Sequence, residues 1–140
     1  MSCVGFFSES QLRRVREAAL DPRPVSTFTA PEASASKRRR VASMAQASDP
    51  VVRAAAAASY LADAEALEHL AADADLGVRC AVAKNPTCPP KVLTVLAGDE
   101  VGAVRGWVAS NPSVPAPVLE SLAGDEDATV RSVAEWATRW

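Results

Sequence analysis

Arg53, Arg79, Arg105 and Arg131 stand 26 residues apart, each directly after a valine, in a chain of 140 residues. One guanidinium per interval is a regular array of charged donors. It could contact successive phosphates of a nucleic-acid backbone, or pair with carboxylates recurring at the same interval. Such carboxylates exist: Asp73, Asp99 and Asp125 precede Arg79, Arg105 and Arg131 by six residues each. The spacing favours a structural ladder of Asp73, Asp99 and Asp125 with Arg79, Arg105 and Arg131, spanning the turn between two helices and fixing the geometry between repeats. Phosphate contact is the alternative. An aspartate at a helix start is also favoured by the helix dipole.

The densest charge is Lys37, Arg38, Arg39 and Arg40, a cluster that can be a solvated surface, a nuclear-import tag or a contact for phosphate or an acidic partner. Arg13, Arg14 and Arg16 could extend it. Aromatics are only 5% of the chain, which argues against a stacking platform for single strands. Three of them are tryptophans gathered late, Trp107, Trp136 and Trp140. Trp107 stands where other repeats have Ala55, Ala81 and Val133, so it fills a widening core, the favoured reading, or protrudes. Trp136 replaces Lys84 and Ser110 and is expected on the surface, where tryptophan serves as a contact anchor.

Catalytic and metal chemistry find little support. His69 is the lone histidine, without cysteines or carboxylates at ligand spacing, so no metal site is expected. The stretch 110–113, Ser-Asn-Pro-Ser, reads as a turn rather than a nucleophile elbow, and Gly98 and Gly124 read as helix stops rather than a phosphate loop. Neither an enzyme nor a cofactor is expected. Cys3, Cys80 and Cys88 have no paired spacing and read as reduced, small apolar fillers.

Hydrophobic residues make up 49% of the chain, chiefly Ala, Val and Leu, a mixture suited to close helix packing. No apolar run is long enough for a membrane span or a secretory leader, so a cytoplasmic protein is expected. The net charge of −2 hides an asymmetry. Residues 1–40 hold eight basic against four acidic side chains, and the remaining hundred hold seven against thirteen. A basic arm on an acidic body folds back or reaches an acidic partner.

The elements that must position these residues follow from the repeat. Val78, Arg79, Asn85, Pro86, Pro89, Leu93, Leu96 and Asp99 recur as Val104, Arg105, Asn111, Pro112, Pro115, Leu119, Leu122 and Asp125. The register runs back through Val52, Leu67, Leu70 and Asp73 and forward to Val130. A 26-residue unit is too short to bury its own apolar face, so copies must stack and share a core. Each unit reads as two short helices. One starts with Pro89 or Pro115 in its first turn and stops at Gly98 or Gly124 in the left-handed C′ conformation; the other runs from about Val101 to Ser110 and from Asp127 onward, broken by Asn-Pro. Residues 37–47 look like the trailing half of a degenerate repeat, with Val41, Met44 and Ala45 in register. Before it, Ser8 opens a helix with capping-box spacing, followed by a Pro- and Ser-rich linker from Pro22 to Ser36. The domains are therefore 1–35, an N-terminal helix and linker, and 36–140, a repeat array.

The stretch 104–125, with its Val-Arg, Asn-Pro, Pro, Val-Leu and Leu-Ala-Gly-Asp elements, resembles the leucine-rich repeat variant family, as does its sibling at 78–99. The match extends over 78–134, weakens over 52–77 and is absent over 1–35. The resemblance implies a right-handed superhelix of alternating α and 3₁₀ helices, a HEAT-like α-solenoid without strands. Some members carry an N-terminal iron–sulfur domain with a cysteine cluster. Only Cys3 stands in that region here, so that cofactor is not carried over.

The fold class read from these observations is all-α, and the function that of a non-catalytic interaction scaffold for a protein partner, with self-association open to it. Partner contact is assigned to Trp107, Trp136 and Trp140 and to Lys37, Arg38, Arg39 and Arg40. A nucleic-acid binder that clamps the phosphate backbone with its basic arm is the alternative, and no membrane contact is expected.

Overall fold

A computed structural model describes residues 34–139, which fall within the compact unit Ala33–Trp140. The described residues form eight α-helices and no strand: α1 (Ala35–Ala45), α2 (Pro50–Ala57), α3 (Ala64–Ala71), α4 (Leu76–Lys84), α5 (Pro90–Leu96), α6 (Gly102–Ala109), α7 (Ala116–Leu122) and α8 (Ala128–Ala137). The helix expected from Ser8 and the linker, up to residue 33, lie outside the described residues, as do Cys3 and Trp140.

Local chemistry sets where the helices begin. Asp49, Asp63, Asp75 and Asp127 cap α2, α3, α4 and α8, each carboxylate accepting from a backbone N–H of the first turn. Pro89 and Pro115 sit at the N-caps of α5 and α7, one position before the expected first turn, and their carbonyls accept from Val92 and Leu93 and from Val118 and Leu119. The left-handed glycines are not found: no described glycine has positive φ. Instead α5 and α7 run out through Ala97 and Ala123 in right-handed conformation, with the N–H of Gly98 on Val95 and that of Gly124 on Ser121. The 3₁₀ helices implied by the resemblance are absent among the described residues as well. Ala97 N–H reaches Leu93 and Ala123 N–H reaches Leu119, the four-residue step of an α-helix.

Helices α2, α4, α6 and α8 pack in succession, each on the next, while α1, α3 and α5 pack in their own succession and lean on them. Position by position the apolar repeat fills the space between: Leu67, Leu93 and Val41 in α3, α5 and α1; Val78, Val104 and Val130 in α4, α6 and α8. Ala57, Ala83 and Ala109 recur fully buried, small enough to let neighbouring helices approach closely. None of the described helices is long and apolar enough to cross a membrane.

Asn85 and Asn111 do more than break a helix. Their side chains are 2% and 4% exposed. Asn111 Nδ2 donates to the carbonyls of Ala83 and Asn85, at 2.7 and 2.9 Å, and Asn85 Nδ2 donates to those of Ala57 and Ser59, at 2.7 and 3.0 Å. Each Oδ1 accepts from the backbone two residues on, at Ser113 and Thr87. One amide thus closes its own turn and ties it to the turn of the preceding repeat. Replacing Asn111 by Ala removes its bonds to the Ala83 and Asn85 carbonyls and to the Ser113 N–H, although the Asn85 carbonyl keeps the N–H of Cys88, and is expected to cost about 2 kcal/mol. Urea denaturation checks this; a midpoint unchanged from the parent chain would contradict it.

Candidate protein-binding surface

Three of the four repeat arginines pair with aspartates inside the fold. Arg53 Nε lies 2.7 Å from Asp73 Oδ2, Arg79 Nε 2.7 Å from Asp99 Oδ2, and Arg105 Nε 2.8 Å from Asp125 Oδ2, with Nη2 of each on the second oxygen at 3.0, 3.3 and 2.9 Å. The carboxylate partner is therefore the aspartate twenty residues later, not the one six residues earlier. The six-residue link is made to the main chain instead: Nη1 of Arg79, Arg105 and Arg131 donates to the carbonyls of Asp73, Asp99 and Asp125 at 3.0, 2.7 and 2.7 Å. Each of Arg79 and Arg105 consequently clamps the turn before its own helix to the turn that follows the next helix, one repeat on. Arg53, outside the expected set, belongs to the ladder through Asp73 and the carbonyl of Ala47. With Nε, Nη1 and Nη2 engaged, Arg53, Arg79 and Arg105 present no fork to a phosphate.

The pairing sets the charge states. The guanidinium of Arg53 holds the Asp73 carboxyl below the usual carboxylate range, and Arg105 does the same for Asp125. At Asp99 burial pushes the carboxyl up, but the bonds from Arg79 and the Val101 N–H outweigh it, and the net shift is again downward. Burial raises the Cys88 thiol to about 11 and also raises Cys80, so neither is a thiolate near neutrality. Both are free cysteines, Cys88 within the core. His69 is exposed on α3, and among the described residues no group of three or more metal-ligating side chains converges.

The outer side of α2, α4, α6 and α8 is built from small residues. A cleft of about 400 Å³ between α6 and α8 is lined by Gly102, Ala103, Gly106, Ser110, Thr129 and Val133 and walled by Trp107. A similar groove between α2 and α4 runs along Ala54, Ala58, Gly77, Ala81 and Lys84. Gly102 allows a close approach: a Cβ there would lie 2.6 Å from Oδ2 of Asp127, so the carboxylate that caps α8 would have to shift.

Trp107 is not a core residue. It is 42% exposed, with Lys84 Nζ 3.9 Å from its ring centroid, a cation–π contact from α4 to α6. The position itself explains this, because its counterpart Ala55 is exposed and Ala81 and Val133 are only half-buried. Trp136, 60% exposed, stands on α8. Lys37, Arg38, Arg39 and Arg40 are all exposed on α1, which packs on α2 and α3. The structure does not bring them to the tryptophan-bearing helices. Lys84 was not anticipated, and its only signal is a long base 23 residues before a tryptophan.

The unit that supplies the cleft, from the start of α6 to the cap of α8, matches the model of a known family, leucine rich repeat variant, over residues 102–127. The match covers the Arg105–Asp125 pair, Asn111 and Trp107 and is narrower than the 78–134 expected from the residues alone. Neither a curated protein nor a solved structure matches the chain. Leucine-rich-repeat-variant repeats are helical scaffold modules, generally non-enzymatic.

The lowered carboxyls make stability depend on pH with a definite sign. The pairing contribution is complete above the ordinary carboxylate range, near 4, and is lost as pH falls through the lower folded-state values. Urea midpoints measured from pH 7 down to pH 2 should therefore fall steeply below about pH 4, and less steeply in a variant carrying Asp73→Asn, Asp99→Asn and Asp125→Asn. Equal slopes in both proteins would contradict the pairing.

Proposed function

We propose that residues 36–140 form a short α-solenoid of 26-residue repeats, right-handed as the resemblance implies, acting as a non-catalytic cytoplasmic scaffold that binds a protein partner. The succession of α2, α4, α6 and α8, and bonds recurring at the repeat interval, support the solenoid. The observation that carries the binding role is Trp107, open to solvent beside a cleft of small residues and held upright by Lys84. A large, rigid aromatic next to a shaped hollow is the usual core of a protein contact. Trp136 extends the surface along α8, and Trp140 is assigned to the same anchor set.

The exposed cluster of Lys37, Arg38, Arg39 and Arg40 supports the nucleic-acid reading as a second possibility. Among the described residues it stands alone in doing so, because Arg53, Arg79 and Arg105 are paired with internal aspartates and residues 41–140 are acidic.

Affinity capture from the native host, with nuclease treatment and mass spectrometry, separates the two. The parent chain is expected to retain a defined protein after nuclease, and Trp107→Ala with Trp136→Ala to weaken that capture by about tenfold or more at unchanged helicity. Capture that nuclease abolishes, or that the double variant leaves intact, would overturn the reading.

A further inference from the structure

Inside the chain, α5 follows α3, and where they meet on the surface Lys91 Nζ lies 3.4 Å from Glu68 Oε1. The repeat register carries this pair to both ends of the array. Glu120 on α7 stands two repeats after Glu68, and Arg39 on α1 stands two repeats before Lys91. Both are exposed. Among the described residues, the last helix pair thus presents the acid, and the first helix the base, of a contact already made once between neighbouring helices.

The two ends are also unlike interior surfaces in complementary ways. Val118 and Leu119 of α7 are half-buried, although their counterparts Val92 and Leu93 are 2% and 0% exposed. Glu135 is exposed at the position where Ala57, Ala83 and Ala109 are fully buried. The end formed by α7 and α8 therefore combines partly open apolar surface with Glu120 and Glu135. Helix α1 meets it with Lys37, Arg38, Arg39 and Arg40, and Arg40 occupies the register of Val92, where its aliphatic stem can lie on Ala123, the counterpart of Ala71.

We propose that a second copy of this chain docks head to tail, its α1 following α7 as α5 follows α3, so that Arg39 of one copy meets Glu120 of the next. This surface is separate from the tryptophan cleft, and the proposal goes beyond the scaffold reading. The junction is weaker than an internal one. Ala47 stands where the ladder would need an aspartate for Arg131, so no buried ion pair is added. A head-to-tail contact between unlike surfaces does not close on itself by a two-fold axis, so the oligomers grow with concentration.

Sedimentation equilibrium of the full chain, at several concentrations and at low and high salt, tests this. The weight-average mass is expected to rise with concentration and to fall as salt screens the ends. Arg39→Glu and Glu120→Arg, each alone, place like charges at the junction and are expected to weaken association at least roughly tenfold. Mixing the two variants restores opposite charges at both kinds of junction and should recover it. Both changed residues are exposed, and circular dichroism verifies that the helices persist. A chain monomeric throughout, variants that associate like the parent, or a mixture that does not recover would each overturn the proposal.

Discussion

Arg79 donates to the carbonyl of Asp73 in the turn before its helix and to the carboxylate of Asp99 in the turn after the next one, and Arg105 repeats the arrangement between Asp99 and Asp125. The side chains that make these bonds are nearly out of solvent, Arg105 and Asp125 being 8% exposed each. A buried charge left without its partner is strongly destabilising, so the length of each repeat is constrained as tightly as its composition. An insertion of one residue between arginine and aspartate would strand both. Asn85 and Asn111 impose the same condition on the other turn, since each reaches carbonyls 26 and 28 residues upstream. Apolar burial supplies cohesion without direction; these polar bonds supply the register.

That division of labour frees the outer side of α2, α4, α6 and α8 from structural duty. Its positions tolerate Ala54, Ala58, Gly77, Ala81, Ala103 and Gly106 because core and ladder lie elsewhere on the same helices. A tryptophan can then stand at position 107 without disturbing the packing beneath, where Val104 and Val108 are fully buried. Specific contact chemistry on such a protein is a matter of what is placed on an otherwise bland, small-residue ground.

The helical class, the helix pairs and most of the core were legible in the sequence because they depend on a period. Leu67, Leu70, Leu93 and Leu96 recur at helical spacing within a unit and at 26 residues between units, and all four are buried. The partner of each arginine was not legible for the same reason: at a period of 26, an aspartate six residues before and one twenty residues after are the same register position. Only the edge distinguishes them, where Arg53 is preceded by Ala47 and yet pairs with Asp73. The asparagines read as turn formers because their acceptors belong to another repeat, which only stacking brings near. Gly98 and Gly124 misled by type, since glycine is found at helix ends in right-handed turns too. The burial of position 107 is set by which helix face looks outward, and a change from alanine to tryptophan does not report that.

The most direct test of the account is a double-mutant cycle on Arg105 and Asp125, using Arg105→Met, Asp125→Asn and the combination in urea denaturation. Direct bidentate pairing across the repeat junction predicts a coupling free energy of about 2 kcal/mol, each single change costing far more than its share of the double. Additive effects, with coupling below about 0.5 kcal/mol, would contradict the claim that these bonds hold one repeat in register with the next.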